Sequence, residues 1–141
     1  MWLLDTVTLS ETVKVNANSA VILWIDSQNK TDLYTSAICI GEIRYGMERL
    51  PPGLKKDGLR LWIERKLEQS LLGRVIPVDG YIAKTWAELR SISPRTLPVF
   101  DSLIAATALN RGLIVVTRNS KDFEAFGVEV FNPWLEGKRA A

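Results

Sequence analysis

Residues 113–117 read LIVVT, an unbroken apolar run between Gly112 and the polar segment RNSKD. A run this short, without alternation, fits a strand buried on both faces. Four more segments fit the same pattern: MWLLD (1–5), DLYTSA (32–37), RVIPVD (74–79), and VEVFNPW (128–134), the last stopped by Asn132-Pro133. Amphipathic stretches separate them. Residues 18–29 carry Val21, Trp24 and Ile25, and 37–50 carry Ile40, Ile43, Met47 and Leu50 before Pro51-Pro52-Gly53 stops the helix. Residues 58–73 place Leu59, Trp62, Ile63, Leu67 and Leu71 on one face and close at Gly73. Asp79 is positioned to cap a helix over 80–92, and another helix spans 99–112. Strands alternating with helices predict an α/β fold: a central parallel sheet of four to five short strands flanked by helices.

A chain of 141 residues is long enough for one core, so 1–136 is expected to be a single domain and GKRAA (137–141) a flexible tail. The formal charge of +2 tolerates a polyanionic partner without demanding one. Two features of composition narrow the chemistry further. With no histidine, Ser-His-Asp catalysis, imidazole bases and His-built zinc sites are excluded. Cys39 is the only cysteine, which excludes an internal disulfide and a thiolate cage; it reads as a small buried hydrophobe. Carboxylates, hydroxyls, Lys and Arg are left to do any work.

No basic segment precedes a long apolar run at the N-terminus, because Asp5 interrupts it. The most apolar stretch, LPVFDSLIAATALNRGLIVV, contains Asp101, Asn110 and Arg111 and does not read as a membrane span. The cytoplasm is the expected compartment.

Each acid has an ordinary explanation of its own. Sites in open α/β sheets form beyond the carboxyl ends of strands, which is where Asp5 lies; its ordinary explanation is a turn or helix-cap acid. Asp101 shares a helix face with Ile104, Ala105, Ala108 and Leu109, and a carboxylate on a buried stripe is costly unless neutralised. Its ordinary explanation is a first-turn acid near Pro98. The alanines downstream of it would let this helix lie close to the sheet. Glu42 lies off its helix's core stripe, as a solvated glutamate would. TRNSKD (117–122) offers Thr117, Asn119 and Asp122 as oxygen ligands, or else an Asx turn and a cap. Only joint placement would make these residues a site.

Together, LLDT (3–6), SAICIGEIRYG (36–46), LPVFDSLIAATAL (97–109), GLIVVTRNSKDF (112–123) and VFNPW (130–134) resemble, in order and spacing, the PIN-domain ribonuclease toxins of the VapC/FitB type. The resemblance implies a PIN-like three-layer sandwich and an acidic cluster at Asp5, Glu42 and Asp101. A fourth position falls on Asn119, with the acid Asp122 three residues on. Many relatives have Asp-Thr-Asn where this chain has Asp5-Thr6-Val7, and losing that asparagine is expected to weaken support of the first loop.

The implied activity is Mg²⁺- or Mn²⁺-dependent endoribonuclease cleavage leaving a 5′-phosphate and a 3′-hydroxyl, with one ion or two. Oxygen-only ligands select such hard cations. Asp5 and Asp101 would be the principal metal carboxylates. Glu42 would complete the pocket and orient or deprotonate the attacking water, and Asn119 or Asp122 would hold a second ion or the water shell. Thr6 and Thr117 are candidate supporting donors. Arg44, Arg118 and Lys121 are candidate RNA contacts. Lys55, Lys56, Arg60, Arg65 and Lys66 read as the solvated side of their helix.

The resemblance also implies two protein partners: a second copy, giving a homodimer, and a cognate antitoxin, with higher hetero-oligomers formed from both. Trp24, Tyr45 and Trp62 could serve these contacts or pack the core. Among rivals, a haloacid-dehalogenase-type phosphatase needs a second acid where Val7 stands, and no GxGxxG or GxxxxGK[ST] occurs for a nucleotide-binding loop. A catalytically silent PIN-like module that binds RNA or protein is the remaining alternative.

Overall fold

The computed structural model describes residues 1–93 and 98–135; the expected tail at 137–141 and most of the 93–98 connection lie outside them. β1 (Trp2–Leu4) occupies the middle of a five-stranded sheet of order β3-β2-β1-β4-β5. Its neighbours are β2 (Leu33–Ser36) and β4 (Ile114–Val116), with β3 (Val75–Ile76) and β5 (Val130–Phe131) at the edges. Every pairing is parallel, and Leu4 stands opposite Val116. The upper count of the four-to-five-strand expectation is realised. The edge strands are only two residues long.

The helices are α1 (Thr6–Glu11), α2 (Ser19–Ser27), α3 (Ala37–Glu48), α4 (Leu54–Trp62), α5 (Glu68–Ser70), α6 (Gly80–Ile92), α7 (Val99–Arg111) and α8 (Ser120–Glu124). Their local causes are legible. Asn18 accepts from Ala20 N–H and Val21 N–H at the start of α2, and Asp79 accepts from Ile82 N–H at the start of α6. Gly112 ends α7 in the left-handed conformation, at φ 65°, where a side chain would be strained.

Two helices depart from the sequence expectation. α1 is poor in strong helix formers, yet forms because Asp5 caps it by accepting from Thr8 N–H. The predicted helix over 58–73 begins earlier, at Leu54, and passes through a π-helical turn at Ile63–Leu67 before α5. Such a turn inserts one residue and re-aims the face that follows. Ile63, Leu67 and Leu71 are buried, whereas Leu59 and Trp62 only pack against the core's margin.

The core runs along the two central strands. Leu3, Leu4, Val115 and Val116 are buried, with Ile82, Ile104 and Phe123 from the helices. Each such side chain contributes about 1.5–3 kcal/mol on full burial. Ala105, Ala106 and Ala108 are completely buried, and α7 packs against β4, as the run of alanines suggested. Cys39 is buried and free of any disulfide. Strand order reverses between β1 and β4, since α1–α5 lead outward to β2 and β3 while the chain then returns to β4. The carboxyl ends of those two strands flank a crevice where ligands of open α/β sheets bind.

Candidate active site

Asp5 and Thr117 follow directly on the ends of β1 and β4, so they meet at this crevice. The Asp5 N–H donates to the Val116 carbonyl at 3.2 Å, tying the two strand ends together. The Asp5 side chain is almost fully buried, which pushes its pKa up; hydrogen bonds from the Thr117 hydroxyl, the Thr8 hydroxyl and the Thr8 N–H oppose that rise. Thr117 is itself oriented, because Asn119 N–H donates to its Oγ1 at 2.9 Å.

Glu42 comes from the middle of α3, where the Thr6 hydroxyl donates to its Oε1 at 2.6 Å. Asp101 lies in the first turn of α7, and α3 packs against α7. Its carboxyl is pushed up to about 6, first by burial and then by the negative charges of Glu42, Asp5 and Asp122. Like charges so arranged disfavour full ionisation unless a cation joins them. Three acids far apart in sequence therefore lie near enough for their charges to reach Asp101.

TRNSKD leaves β4 as loop through Asn119 and enters α8 at Ser120; Asp122 sits half-buried in the first turn of that helix, and its charge reaches Asp101. Asn119 is exposed at the start of that helix, and its side chain makes no capping bond.

The cations are dispersed. The Arg44 guanidinium donates to Glu68 Oε1 from Nε at 3.0 Å and from Nη2 at 2.5 Å, with Glu64 at 3.9 Å. Arg118 lies over the Trp134 ring, 5.6 Å from its centre, and Lys121 is exposed on α8.

Thr8 escaped the sequence reading. It is fully buried, its hydroxyl lies 2.7 Å from Asp5 Oδ1 and 2.9 Å from the Val116 carbonyl, and its N–H also serves Asp5. The signal available was a hydroxyl three residues after a possible capping acid. Val7, where the resemblance leads one to expect asparagine, is 39% exposed. Thr8, the residue after it, supplies the bonds to Asp5.

The candidate donors are all oxygens, and the repulsion that Asp101 feels from its neighbours is of the kind a hard divalent cation relieves. Among the described residues no group of three or more Cys, Asp or Glu side chains stands close enough together to hold a metal ion as placed.

A groove of about 300 Å³, lined by none of the four candidate acids, has Leu9, Ile25, Leu33, Trp62 and Leu67 among its lining, with Asp26 and Lys66. Tyr45 is exposed on α3 with Arg49 against its ring. Trp24 packs between Trp2 and Phe131, with ring centres 4.9 Å from each. No helix among the described residues is long and apolar enough to cross a membrane.

The PIN domain family model matches residues 3–129. The chain belongs to the PIN-domain family. It is 36% identical to the VapC ribonuclease Y4jK of Sinorhizobium fredii, over 95% of this chain and 98% of that protein. It is 38% identical to the toxin FitB of Neisseria gonorrhoeae, over 95% of this chain and 99% of that one. The solved structure of FitAB bound to an IR36 DNA fragment is similar with a TM-score of 0.90 and 37% identity, covering 95% of this chain and 96% of that chain. The parallel sheet between helices expected from the sequence is thus the PIN fold.

Proposed function

We propose that this chain is the toxin of a type II toxin–antitoxin pair and a divalent-metal-dependent endoribonuclease. The observation that supports the reading is that the charges of Glu42, Asp5 and Asp122 reach the half-buried Asp101, with Asp5 at the reversal of strand order. Kinship with a ribonuclease and a toxin over nearly the full chain supports it.

Asp5 and Asp101 would hold Mg²⁺ or Mn²⁺, and Asp122, half-buried with its charge reaching Asp101, would take the fourth acidic position while Asn119 is exposed. The ion, when bound, supplies Lewis-acid activation of water and neutralises charge developing on the phosphodiester. Glu42 orients the attacking water and accepts its proton at Oε2, because Oε1 is engaged by Thr6. Thr117 holds Asp5, and the buried walls of α7 and β4 keep the carboxylates from turning into solvent. Water attack with loss of the 3′ oxygen leaves a 5′-phosphate and a 3′-hydroxyl. Arg118 and Lys121, close in sequence to Thr117 and Asp122, would be the cations for backbone phosphates; Arg44 would first have to leave Glu68.

The partners follow from the same kinship: a cognate antitoxin and a second copy of the chain, in the cytoplasm where RNA is available. The groove lined by Trp62 and Lys66 offers an antitoxin segment an apolar floor with a cationic edge. Residues 1–136 act as one domain.

The test is cleavage of RNA with Mg²⁺ or Mn²⁺ by the wild type, Asp5→Ala and Asp101→Asn. Cleavage that needs the metal and both acids is expected. Cleavage indifferent to EDTA and to both substitutions overturns the mechanism, and RNA bound but left intact selects the silent module.

A further inference from the structure

We infer that Thr8 is a positioning residue for the metal-holding carboxylate of Asp5, an inference that rests on the reading above. Thr8 is fully buried and delivers two donors to one oxygen: its N–H lies 2.9 Å from Asp5 Oδ1 and its hydroxyl 2.7 Å from the same atom. Two donors converging on Oδ1 fix the rotation of the carboxyl group about its terminal bond and leave Oδ2 uncommitted by Thr8. A carboxylate held in this way meets a cation with one defined oxygen, and the ordering cost falls on folding instead of on binding.

The hydroxyl has a second anchor. It lies 2.9 Å from the Val116 carbonyl, on the strand that leads into Thr117. Its single proton is shared between Asp5 Oδ1 and that carbonyl, which places Thr8 between the start of α1 and the end of β4, on the side of the crevice that carries Thr117 and Asp122. The Val116 carbonyl also accepts the Asp5 N–H, so it retains a partner when the hydroxyl turns wholly to Asp5. For the same reason, removing the hydroxyl leaves that carbonyl satisfied. Val7 can supply none of these bonds, and the residue after it carries the polar group.

The experiment measures Mn²⁺ binding by electron paramagnetic resonance on the full chain, in wild type, Thr8→Val, Thr8→Ser and Asp5→Asn. Circular dichroism and thermal unfolding of each variant establish that it is folded, and Thr8→Ala replaces Thr8→Val if the latter is not. Thr8→Val keeps the shape and the N–H but loses the hydroxyl; Mn²⁺ affinity is expected to fall about 10-fold, within the range typical of lost ligand-orienting bonds. Thr8→Ser restores the hydroxyl and should bind within about twofold of wild type, a rescue that lost packing would not produce. RNA cleavage should recover in Thr8→Val as Mn²⁺ is raised. Wild-type affinity in folded Thr8→Val, or binding by Thr8→Ser as weak as by Thr8→Val, overturns the inference. If Asp5→Asn also binds Mn²⁺ like the wild type, the carboxylate reading itself fails; if Asp5→Asn is weakened and Thr8→Val is not, only the role of Thr8 fails.

Discussion

The strand end that carries Asp5 and the helix turn that carries Asp101 hold the same side chain in opposite circumstances. Burial raises the pKa of both. Around Asp5, two hydroxyls and a backbone N–H pull in the other direction; around Asp101, every further influence is another negative charge. One carboxylate is oriented by the chain, while the other is poised against its neighbours. Sites that bind cations use both, since a wholly satisfied cluster would gain little from an ion and a wholly repulsive one would cost the fold too much.

The largest expected effect would break the comparison if it failed. Asp5→Asn and Asp101→Asn should each lower kcat/KM for RNA cleavage by about 10²–10³-fold, as loss of a charge-stabilising group does. A fluorogenic RNA assay that found only one of them essential would reduce the pair to a single working acid. Next, Thr6→Val frees Glu42 Oε1 and should cost about 10-fold in kcat with little change in KM, measured in the same assay.

The sharper contrast is in stability. Without metal at pH 7, Asp5→Ala removes a helix cap and strands buried donors, so urea unfolding should show a loss of about 1–2 kcal/mol. Asp101→Asn should instead stabilise. The folded protein holds the Asp101 proton more tightly than the unfolded chain does, so this group favours folding at low pH, and that contribution is lost as pH rises towards about 6. The advantage of Asp101→Asn over wild type should therefore grow between about pH 4 and pH 6 and then level off, at on the order of 1 kcal/mol after allowance for the group's partial exposure. Added Mn²⁺ should shrink it.

The smallest effect concerns Arg44. Glu68→Gln weakens a half-exposed ion pair, and thermal unfolding should register less than about 1 kcal/mol.

Some of this was open to reading along the chain. Asp79 and Gly112 act through backbone only a few residues away, and the unbroken apolar run at 113–117 leaves a buried parallel strand as the simplest outcome. The candidate acids were named from the sequence, where resemblance to the PIN-domain toxins grouped them. α1 was not read, because its residues favour a helix weakly and the cap that starts it is also a candidate ligand. Thr8 looked like any threonine, since its second anchor is 108 residues away. Arg44 was legible as a cation, but not its commitment to Glu68, which depends on the π-helical turn that re-aims the end of that segment.

The sequence by itself determined the chemistry available: no imidazole, one thiol, and carboxylates spaced along alternating strands and helices. It also determined the class of fold, because hydrophobic periodicity is a local property repeated in every segment. The tertiary structure decided which of those carboxylates share a crevice, which hydroxyls steady them, and which cations are already spent. Such outcomes depend on contacts between distant residues, where a shift of one helical turn exchanges one partner for another.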